Sequence, residues 1–252
     1  MKFIKSLLLG ALLVMAQVAQ AGEVRVAVAA NFTAPMQEIA PLFEQASGHK
    51  VSVSFGSTGK FYAQIKQGAP YDVFIAADTK APKKLEEEGH TVNGSRFVYA
   101  LGTLVLWGAQ PGLVDDKGAV LRKGGFNKLA IGDPKLAVYG TAAQETMEEL
   151  GLWKVLQPKL VRGDNITQTY QFAASGNAEL GFIALSQITK GGKVSEGSWW
   201  IVPAHYYKPI EQSAVMLSNA KDAEASKAFL AFLKGPQAAA VIRSYGYELS
   251  SK

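Results

Sequence analysis

The stretch KVSVSFGSTGKFYAQIKQGAPYDVFIAA, residues 50–77, contains a complete strand–helix–strand pattern. Its first six residues alternate apolar and polar side chains, Phe61 and Ile65 then recur at helical spacing, and an apolar run follows Asp72. Two strand patterns separated by a helix predict a parallel βαβ unit with a right-handed crossover. The turn Gly56-Ser57-Thr58-Gly59 joins the first strand to the helix, and its small hydroxyl-bearing residues raise the question of what it binds.

The same kinds of pattern continue on both sides of this unit. Before it, Val24–Ala29 predicts a strand and Thr33–Ala46 a helix, and after it Thr79–Glu88 predicts a charged surface helix. A second alternating set follows, with strands at Leu129–Ile131, Leu160–Val161, Glu179–Leu185 and Trp199–Val202 and helices at Thr141–Leu150 and Ile166–Ala174. The last long segment, Lys221–Tyr245, is predicted to be helical with a break at Gly235-Pro236.

Two extended segments are candidates for crossing between the two α/β sets. One lies near Tyr99–Thr103, within a long strand-like run that Gly102 interrupts, and the other lies at Ile210–Val215. If the final helices return to the first sheet, the first lobe is discontinuous. We therefore predict a hinged protein with lobe 1 at 22–100 plus 216–252, lobe 2 at 101–215 and a ligand in the cleft. Periodicity leaves a single Rossmann-like sheet open as the alternative.

The N-terminal segment predicts export. Residues 1–21 combine Lys2 and Lys5 with an apolar stretch and end in Ala19-Gln20-Ala21, which is the pattern of a secretory signal peptide. The chain contains no cysteine, which excludes disulfides, zinc–thiolate sites and a lipid-bearing cysteine. We expect a soluble periplasmic protein without a lipid anchor.

The charge pattern argues against a nucleic-acid partner. The formal net charge of +5 is spread along the chain, and the basic pairs Lys83-Lys84 and Arg122-Lys123 are short and lack interleaved aromatic residues. After the signal peptide, no segment is apolar and long enough to span a membrane.

Four strand-to-helix junctions carry small polar residues. In open parallel sheets ligands bind beyond the carboxyl ends of the strands, where helix N-termini offer unpaired N–H groups that suit an anion. Each junction also contains residues that commonly cap helices, so capping alone stays an alternative at every one. The junctions are Ala30-Asn31-Phe32-Thr33, Gly56-Ser57-Thr58-Gly59, Tyr139-Gly140-Thr141 and Asp164-Asn165-Ile166-Thr167.

Other chemistries lack their sequence patterns. The segment GSTGK has neither the spacing nor the final hydroxyl of a phosphate-binding P-loop, and Ser57 directly after Gly56 does not fit the G-x-S-x-G elbow of serine hydrolases. The three histidines are isolated, and no acidic residues or histidines have metal-ligand spacing. The pair Tyr206-Tyr207 could bind iron, but it is better explained as packing beside Trp199 and Trp200.

Five stretches in the same order carry a family resemblance: VAANFTAPMQEIAPLFE (28–44), SFGSTGKFYAQIKQGAPYDVFIAAD (54–78), IGDPKLAVYGTAAQETMEELGLW (131–153), ELGFIALSQI (179–188) and FLKGPQAAAVIRSYGY (232–247). In these stretches the sequence resembles the periplasmic molybdate-binding proteins of bacterial molybdate ABC transporters. The resemblance implies the two-lobe periplasmic binding protein fold (type II), with a mixed sheet flanked by helices in each lobe and two crossover segments. It also implies a monomer without enzymatic activity or cofactor, which captures molybdate or tungstate and delivers it to an inner-membrane permease.

The resemblance also implies the ligand-binding residues. By local match they are Asn31, Thr58 with Ser57 beside it, Tyr139 and Ile166, the last through its backbone N–H alone, so that neutral groups hold the anion. Many relatives have serine where Asn31 stands, and some have a tyrosine at the position of Ala184. Our hypothesis is that the Tyr139 phenol replaces that hydroxyl. A receptor for another oxyanion such as sulfate or phosphate, and more remotely a secreted hydrolase using Ser57, remain alternatives.

Overall fold

Two five-stranded mixed β-sheets with helices on both faces organise the chain. They are seen in a computed structural model that describes residues 21–194 and 197–249, so the predicted signal peptide lies, apart from Ala21, outside the described residues. The strands are β1 Glu23–Ala29, β2 Lys50–Gly56, β3 Val73–Ile75, β4 Phe97–Gly102, β5 Leu104–Gly108, β6 Leu129–Gly132, β7 Leu160–Gly163, β8 Leu180–Ala184, β9 Thr189–Lys190, β10 Lys193–Val194, β11 Ser198–Ile201 and β12 Ile210–Met216. The helices are α1 Thr33–Ser47, α2 Thr58–Lys66, α3 Lys80–Glu87, α4 Val120–Lys123, α5 Val138–Glu149, α6 Trp153–Leu156, α7 Ile166–Ala174, α8 Ala223–Leu233 and α9 Pro236–Ser244.

The two large sheets share one plan. The first has the order β2-β1-β3-β12-β4 and the second the order β7-β6-β8-β5-β11. In each, three parallel strands lie beside one antiparallel strand, which in turn pairs with an edge strand. The predicted α/β class with two mixed sheets is confirmed, and a single Rossmann-like sheet does not describe the chain. Strands β9 and β10 form a separate small hairpin.

Alternation along the strands explains the layers. In β1, Val26 and Val28 pack with α1, α8 and α9, whereas Ala27 between them packs on the opposite face with residues of α2 and α3. The second sheet is covered in the same way, by α4, α5 and α6 on one face and α7 on the other. Because side chains on a strand alternate between faces, a strand segment buried on both faces is apolar throughout, as β1 is from Val26 to Ala29.

The predicted long strand at Phe97–Trp107 is two strands in different sheets. The chain leaves the first sheet at Gly102, and Leu104 already begins β5 in the second. It returns between Ile201 and Ile210. The strand β12 therefore belongs to the first sheet, although the predicted limit between residues 215 and 216 assigns nearly all of it to lobe 2. The two crossing segments contact each other, since the Leu104 N–H donates to Tyr207 Oη at 3.2 Å.

Helix α5 begins at Val138, three residues before the predicted start at Thr141. No side chain caps this helix, so the usual signal for its start is missing from the sequence. The reason lies in the packing, because Gly140 in the first turn lies directly against the backbone of Gly132 at the end of β6, where a Cβ atom would clash. The close approach places the first turn of α5 at the sheet edge.

A buried ion pair fixes the start of β3 to β1. The fully buried Asp72 carboxylate accepts hydrogen bonds from Arg25 Nε at 2.9 Å and Nη2 at 2.5 Å, from the Arg25 N–H at 2.7 Å and from the Lys221 N–H at 2.8 Å. Burial opposes ionisation of Asp72, but these donors together outweigh it and lower the pKa of the carboxyl. The pair therefore joins β1, β3 and the loop before α8.

We predict that Asp72→Asn lowers the free energy of unfolding by about 3–5 kcal/mol, because the variant leaves Arg25 without its buried partner. Urea denaturation at neutral pH measures this. The native pKa is lowered, so the difference between wild type and variant should be full at neutral pH and shrink as pH falls below about 4. Glu87→Gln, in the exposed Lys83–Glu87 pair, is the control and should change stability by less than about 0.5 kcal/mol. Equal effects of the two substitutions would contradict the prediction.

Candidate functional site

All four predicted junctions border one small cavity between the two sheets. Each of the five predicted ligand-binding residues lines it and is buried, with 2–4% of its surface exposed. The lining is formed by Ala29, Ala30, Asn31, Gly56, Ser57, Thr58, Ala77, Ala137, Val138, Tyr139, Asn165 and Ile166. The structure therefore brings together all the residues that the sequence singled out, two junctions from each sheet.

The shared plan of the sheets explains why these junctions meet. The two in the first half of the chain follow β1 and β2, and the two in the second half follow β6 and β7, which hold the corresponding places in the second sheet. Parallel strands end at the same edge of a sheet, so each sheet presents two such junctions side by side. With the two edges facing each other, the N-termini of α2, α5 and α7 and the turn before α1 converge on one point.

The hydroxyls of Ser57 and Thr58 are placed to donate into the cavity. Ser57 Oγ accepts from the Lys60 N–H at 3.4 Å as the cap of α2, and Thr58 Oγ1 accepts from the Ala77 N–H at 3.0 Å. A hydroxyl that accepts a backbone hydrogen bond keeps its own hydrogen to donate elsewhere. Both the capping role and the binding role considered from the sequence are therefore compatible at this turn.

The Asn31 side chain is held by the protein itself. Its Nδ2 donates to Gln212 Oε1 at 2.7 Å and to Tyr247 Oη at 2.8 Å, which uses both amide hydrogens. The Asn31 backbone N–H makes no hydrogen bond to the rest of the described chain. The donor that Asn31 can offer to the cavity is thus its backbone N–H, whereas the sequence led us to expect the side chain as well.

In the second sheet the available donors are also backbone groups. Asn165 Oδ1 accepts from the Gln168 N–H at 3.0 Å and caps α7. This leaves the N–H of Ile166, at the first position of the helix, without a hydrogen bond among the described residues, as expected for a first turn. Asp164 points outward, 62% exposed at its side chain, and does not line the cavity.

The backbone N–H of Tyr139 is available at the cavity, whereas its phenol oxygen lies deeper in the protein. Its N–H, at the second position of α5, makes no hydrogen bond within the described chain. Its Oη lies instead beside Gly102 and the Gln212 amide, buried and without a hydrogen bond. The hypothesis that the phenol replaces a tyrosine at the position of Ala184 is not tested by this arrangement, but the hydroxyl of Tyr139 lies against the first sheet's own residues.

The cavity is electrically neutral. None of its lining residues is Lys, Arg, His, Asp or Glu. Burial raises the pKa of Tyr139 and Tyr99 well above the ordinary value and that of Tyr247 to about 12, so the phenols in and behind the cavity stay uncharged. Electrostatic attraction must therefore come from backbone and hydroxyl dipoles and from helix N-termini.

Four contacts join the two sheet edges around the cavity. The Gly59 N–H donates to the Leu136 carbonyl at 3.0 Å, and Thr167 Oγ1 donates to the Ala30 carbonyl at 3.3 Å. Ser186 Oγ donates to the Asn31 carbonyl at 2.9 Å. At the rim, Lys60 Nζ and Asp164 Oδ2 form an exposed ion pair at 2.5 Å. Groups from both sheets therefore border the cavity.

Sequence reasoning missed the polar residues behind Asn31. Gln212 and Ser186 are buried, and Tyr247 Oη contacts the Asn31 carbonyl at 2.8 Å and Ser186 Oγ at 2.9 Å. Gln212 lies within the extended segment predicted at Ile210–Val215, but IEQSAVM carries no alternation that would mark this glutamine as buried.

The rival sites do not form in the described chain. No histidine lines the cavity that contains Ser57. Tyr207 Oη bonds to the backbone of Leu104, and the Tyr206 ring packs 6.1 Å from the Trp200 ring. Among residues 21–194 and 197–249, no cluster of three or more His, Cys, Asp or Glu side chains could hold a metal ion. The helices in these ranges are too short or too polar to cross a bilayer.

Comparison with known proteins identifies the family. The model of the family described as bacterial extracellular solute-binding protein matches residues 24–248. The chain belongs to this family. It is 57% identical over 235 residues to the molybdate-binding protein ModA of Azotobacter vinelandii, with 93% of each chain covered. It is 55% identical to the molybdate-binding protein ModA of Rhodobacter capsulatus, covering 91% of this chain and 89% of that one.

A solved structure agrees with these relatives. The periplasmic molybdate-binding protein of Azotobacter vinelandii superposes with a TM-score of 0.89 at 43% identity, over 90% of this chain and all of that one. The family resemblance inferred from the sequence is confirmed by this match and by the two relatives. These solute-binding proteins are transport proteins and not enzymes.

Proposed function

We propose that this chain captures molybdate, and equally tungstate, in the cavity between its two sheets and delivers the anion to an ABC permease. The observation that carries the proposal is the cavity itself, where four strand-to-helix junctions from two sheets direct uncharged donors at one point. The names of the relatives support molybdate as the anion. As in a periplasmic relative, we place the protein in the periplasm, acting as a monomer without cofactor.

Uncharged donors can balance the cost of burying a dianion. Removing an ion from water costs several kcal/mol even after relaxation. Each hydrogen bond to a charged acceptor returns roughly 1.5–3 kcal/mol, and a tetrahedral oxyanion can accept about seven. The candidate donors are the N–H groups of Asn31, Thr58, Tyr139 and Ile166 and the hydroxyls of Ser57 and Thr58.

The lack of acceptors favours a fully ionised oxyanion. A protonated phosphate needs a partner that accepts its hydrogen, such as a carboxylate, and the lining provides no acidic side chain. Sulfate has the same charge and shape as molybdate but shorter bonds. A cage sized for the larger ion would leave donors unpaired around sulfate, at about 1–3 kcal/mol for each.

We infer that binding closes a hinge at the two crossings between the sheets. The contacts Gly59–Leu136 and Ser186–Asn31 can form only when the sheet edges meet. The permease would then recognise the anion-bound protein by a composite surface that both lobes form only in the closed state. The lobe limits at 100/101 and 215/216 stay a prediction, and the proposed hinge follows the crossings at Gly102–Leu104 and 201–210.

The decisive experiment is a thermal-shift panel of molybdate, tungstate, sulfate, phosphate and ferric ion. We expect molybdate and tungstate to raise the melting temperature and sulfate and phosphate to do so weakly or not at all, because a ligand that binds only the folded state stabilises it. A rise in melting temperature with sulfate alone would indicate that the protein binds sulfate instead of molybdate. A shift produced by ferric ion alone would contradict the oxyanion site.

Removing the Thr58 hydroxyl tests the donor set. Thr58→Val deletes one donor to the anion and the acceptor of the Ala77 N–H, so we expect the Kd for molybdate to rise about 10- to 100-fold by calorimetry. Ser57→Ala should act in the same direction. Ser52→Ala is the control, because it removes an exposed hydroxyl from strand β2, which precedes both cavity residues. It should leave Kd unchanged. Unchanged affinity in both cavity variants would place the anion elsewhere.

The neutral lining predicts a flat pH profile. Tyr139 is the only titratable residue among the described residues that line the cavity, and its raised pKa keeps it protonated. Between about pH 7 and pH 9 we expect the Kd for molybdate to change by less than about twofold, since no charge at the site changes. Affinity that falls steeply with rising pH would indicate a cationic side chain in contact with the anion.

A further inference from the structure

Gly102 lies at the end of β4, where the chain leaves the first sheet for the second. Its backbone φ is not positive, so the conformation does not require glycine. The close packing around this residue does require glycine. A Cβ atom at this position would lie inside the van der Waals radius of Tyr139 Oη, 3.1 Å from Tyr139 Cζ and 2.8 Å from Gln212 Nε2. A glycine in a strand often marks such a close approach by another group.

The groups that meet at Gly102 come from both sides of the cavity. Gly102 and Gln212 belong to adjacent strands of the first sheet, whereas Tyr139 lies in the first turn of α5, which packs on the second sheet. The Tyr139 ring is 2% exposed and Gln212 is fully buried, so neither side chain can swing into solvent. The contact is therefore formed across the boundary between the sheets, by side chains that are held in place.

The same two side chains connect this contact to the anion cavity. Tyr139 offers its backbone N–H there, and Gln212 Oε1 accepts from Asn31 Nδ2 at 2.7 Å and from Tyr99 Oη at 3.1 Å. Tyr139 Oη and Gln212 Nε2 are both buried, and neither makes a well-aligned hydrogen bond in the described chain. Packing against Gly102 and the Tyr247 hydroxyl, which interacts with both groups, together set their position.

We propose that Gly102 is a positioning residue for anion binding: its missing side chain leaves the gap that receives the Tyr139 phenol when the two sheets close. This rests on the proposed function. In this role the phenol is a spacer at the hinge rather than an anion ligand. When the lobes separate, Tyr139 moves away with the second sheet, so an alanine at position 102 meets only the Gln212 amide in the open form but clashes with the Tyr139 phenol as well in the closed one. The substitution acts on the equilibrium between the two forms.

The test uses Gly102→Ala, Tyr139→Phe and the double variant in the full chain. We expect Gly102→Ala to raise the Kd for molybdate about tenfold or more. The melting temperature of the anion-free protein should fall less than that of the molybdate-bound protein, because opening removes the clash with the Tyr139 phenol and leaves only the Gln212 amide to shift. The compaction that molybdate produces in small-angle scattering should decrease in the same variant.

The double variant shows whether Gly102→Ala lowers affinity through the clash with Tyr139 or through a general loss of structure. Tyr139→Phe removes the atom that clashes most, so the double variant should recover most of the affinity lost in Gly102→Ala when it is compared with the Tyr139→Phe single variant. Gly108→Ala is the matched control. That glycine also ends a strand, but a Cβ there would meet only groups on its own side of the cavity, the Glu179 carbonyl and the Leu113 and Leu180 side chains. We expect no effect on Kd.

Three outcomes would overturn the proposal. One is wild-type affinity and compaction in Gly102→Ala, and another is a lost affinity that the double variant does not recover. A large loss of affinity in Tyr139→Phe alone would make the phenol an anion ligand instead. Absence of molybdate binding by the wild-type chain would overturn the proposed function together with this inference, and the wild-type titration distinguishes that case.

Discussion

The structure depends on a requirement of electrostatics: a doubly charged anion held without a countercharge needs more donors than one helix terminus can supply. In the proposed site, Ser57 and Thr58 offer hydroxyls, and Tyr139 and Ile166 offer backbone N–H groups from the facing sheet. Neither sheet alone encloses the cavity. The need for donors from all directions explains why two sheets of the same plan face each other, and why the chain crosses between them twice.

Neutrality has a second consequence at the hinge. With no strong charge in the cavity, closure depends on short-range contacts, which are sensitive to a few tenths of an ångström. Gly59 against Leu136, Ser186 against Asn31 and Tyr139 against Gly102 all join the two sheets within this range. The geometry that encloses the anion and the geometry that permits closure are therefore formed by overlapping residues.

Local patterns predicted the elements well where they carried a local signal. Helix α7 was predicted with its observed bounds because Asn165 is a good cap directly before an apolar repeat, whereas α5 lacks a cap and its start was placed late. For Asn31 the sequence predicted the position in a junction but not the partners of its side chain. Its position in a junction is visible in the sequence, but the partners that take up its amide, Gln212 and Tyr247, are 181 and 216 residues away.

The sequence by itself determined the α/β class and the four polar junctions, because strand alternation, helical spacing and helix caps are properties of neighbouring residues. The neutral character of the site was an implication of the family resemblance. Only the tertiary structure decided that Phe97–Trp107 divides between two sheets. It also decided that the Asn31 side chain bonds to other protein groups and that the Tyr139 phenol lies against Gly102. These features depend on contacts between residues far apart in the chain, and no local pattern encodes the distance between two groups that meet only when both sheets have formed.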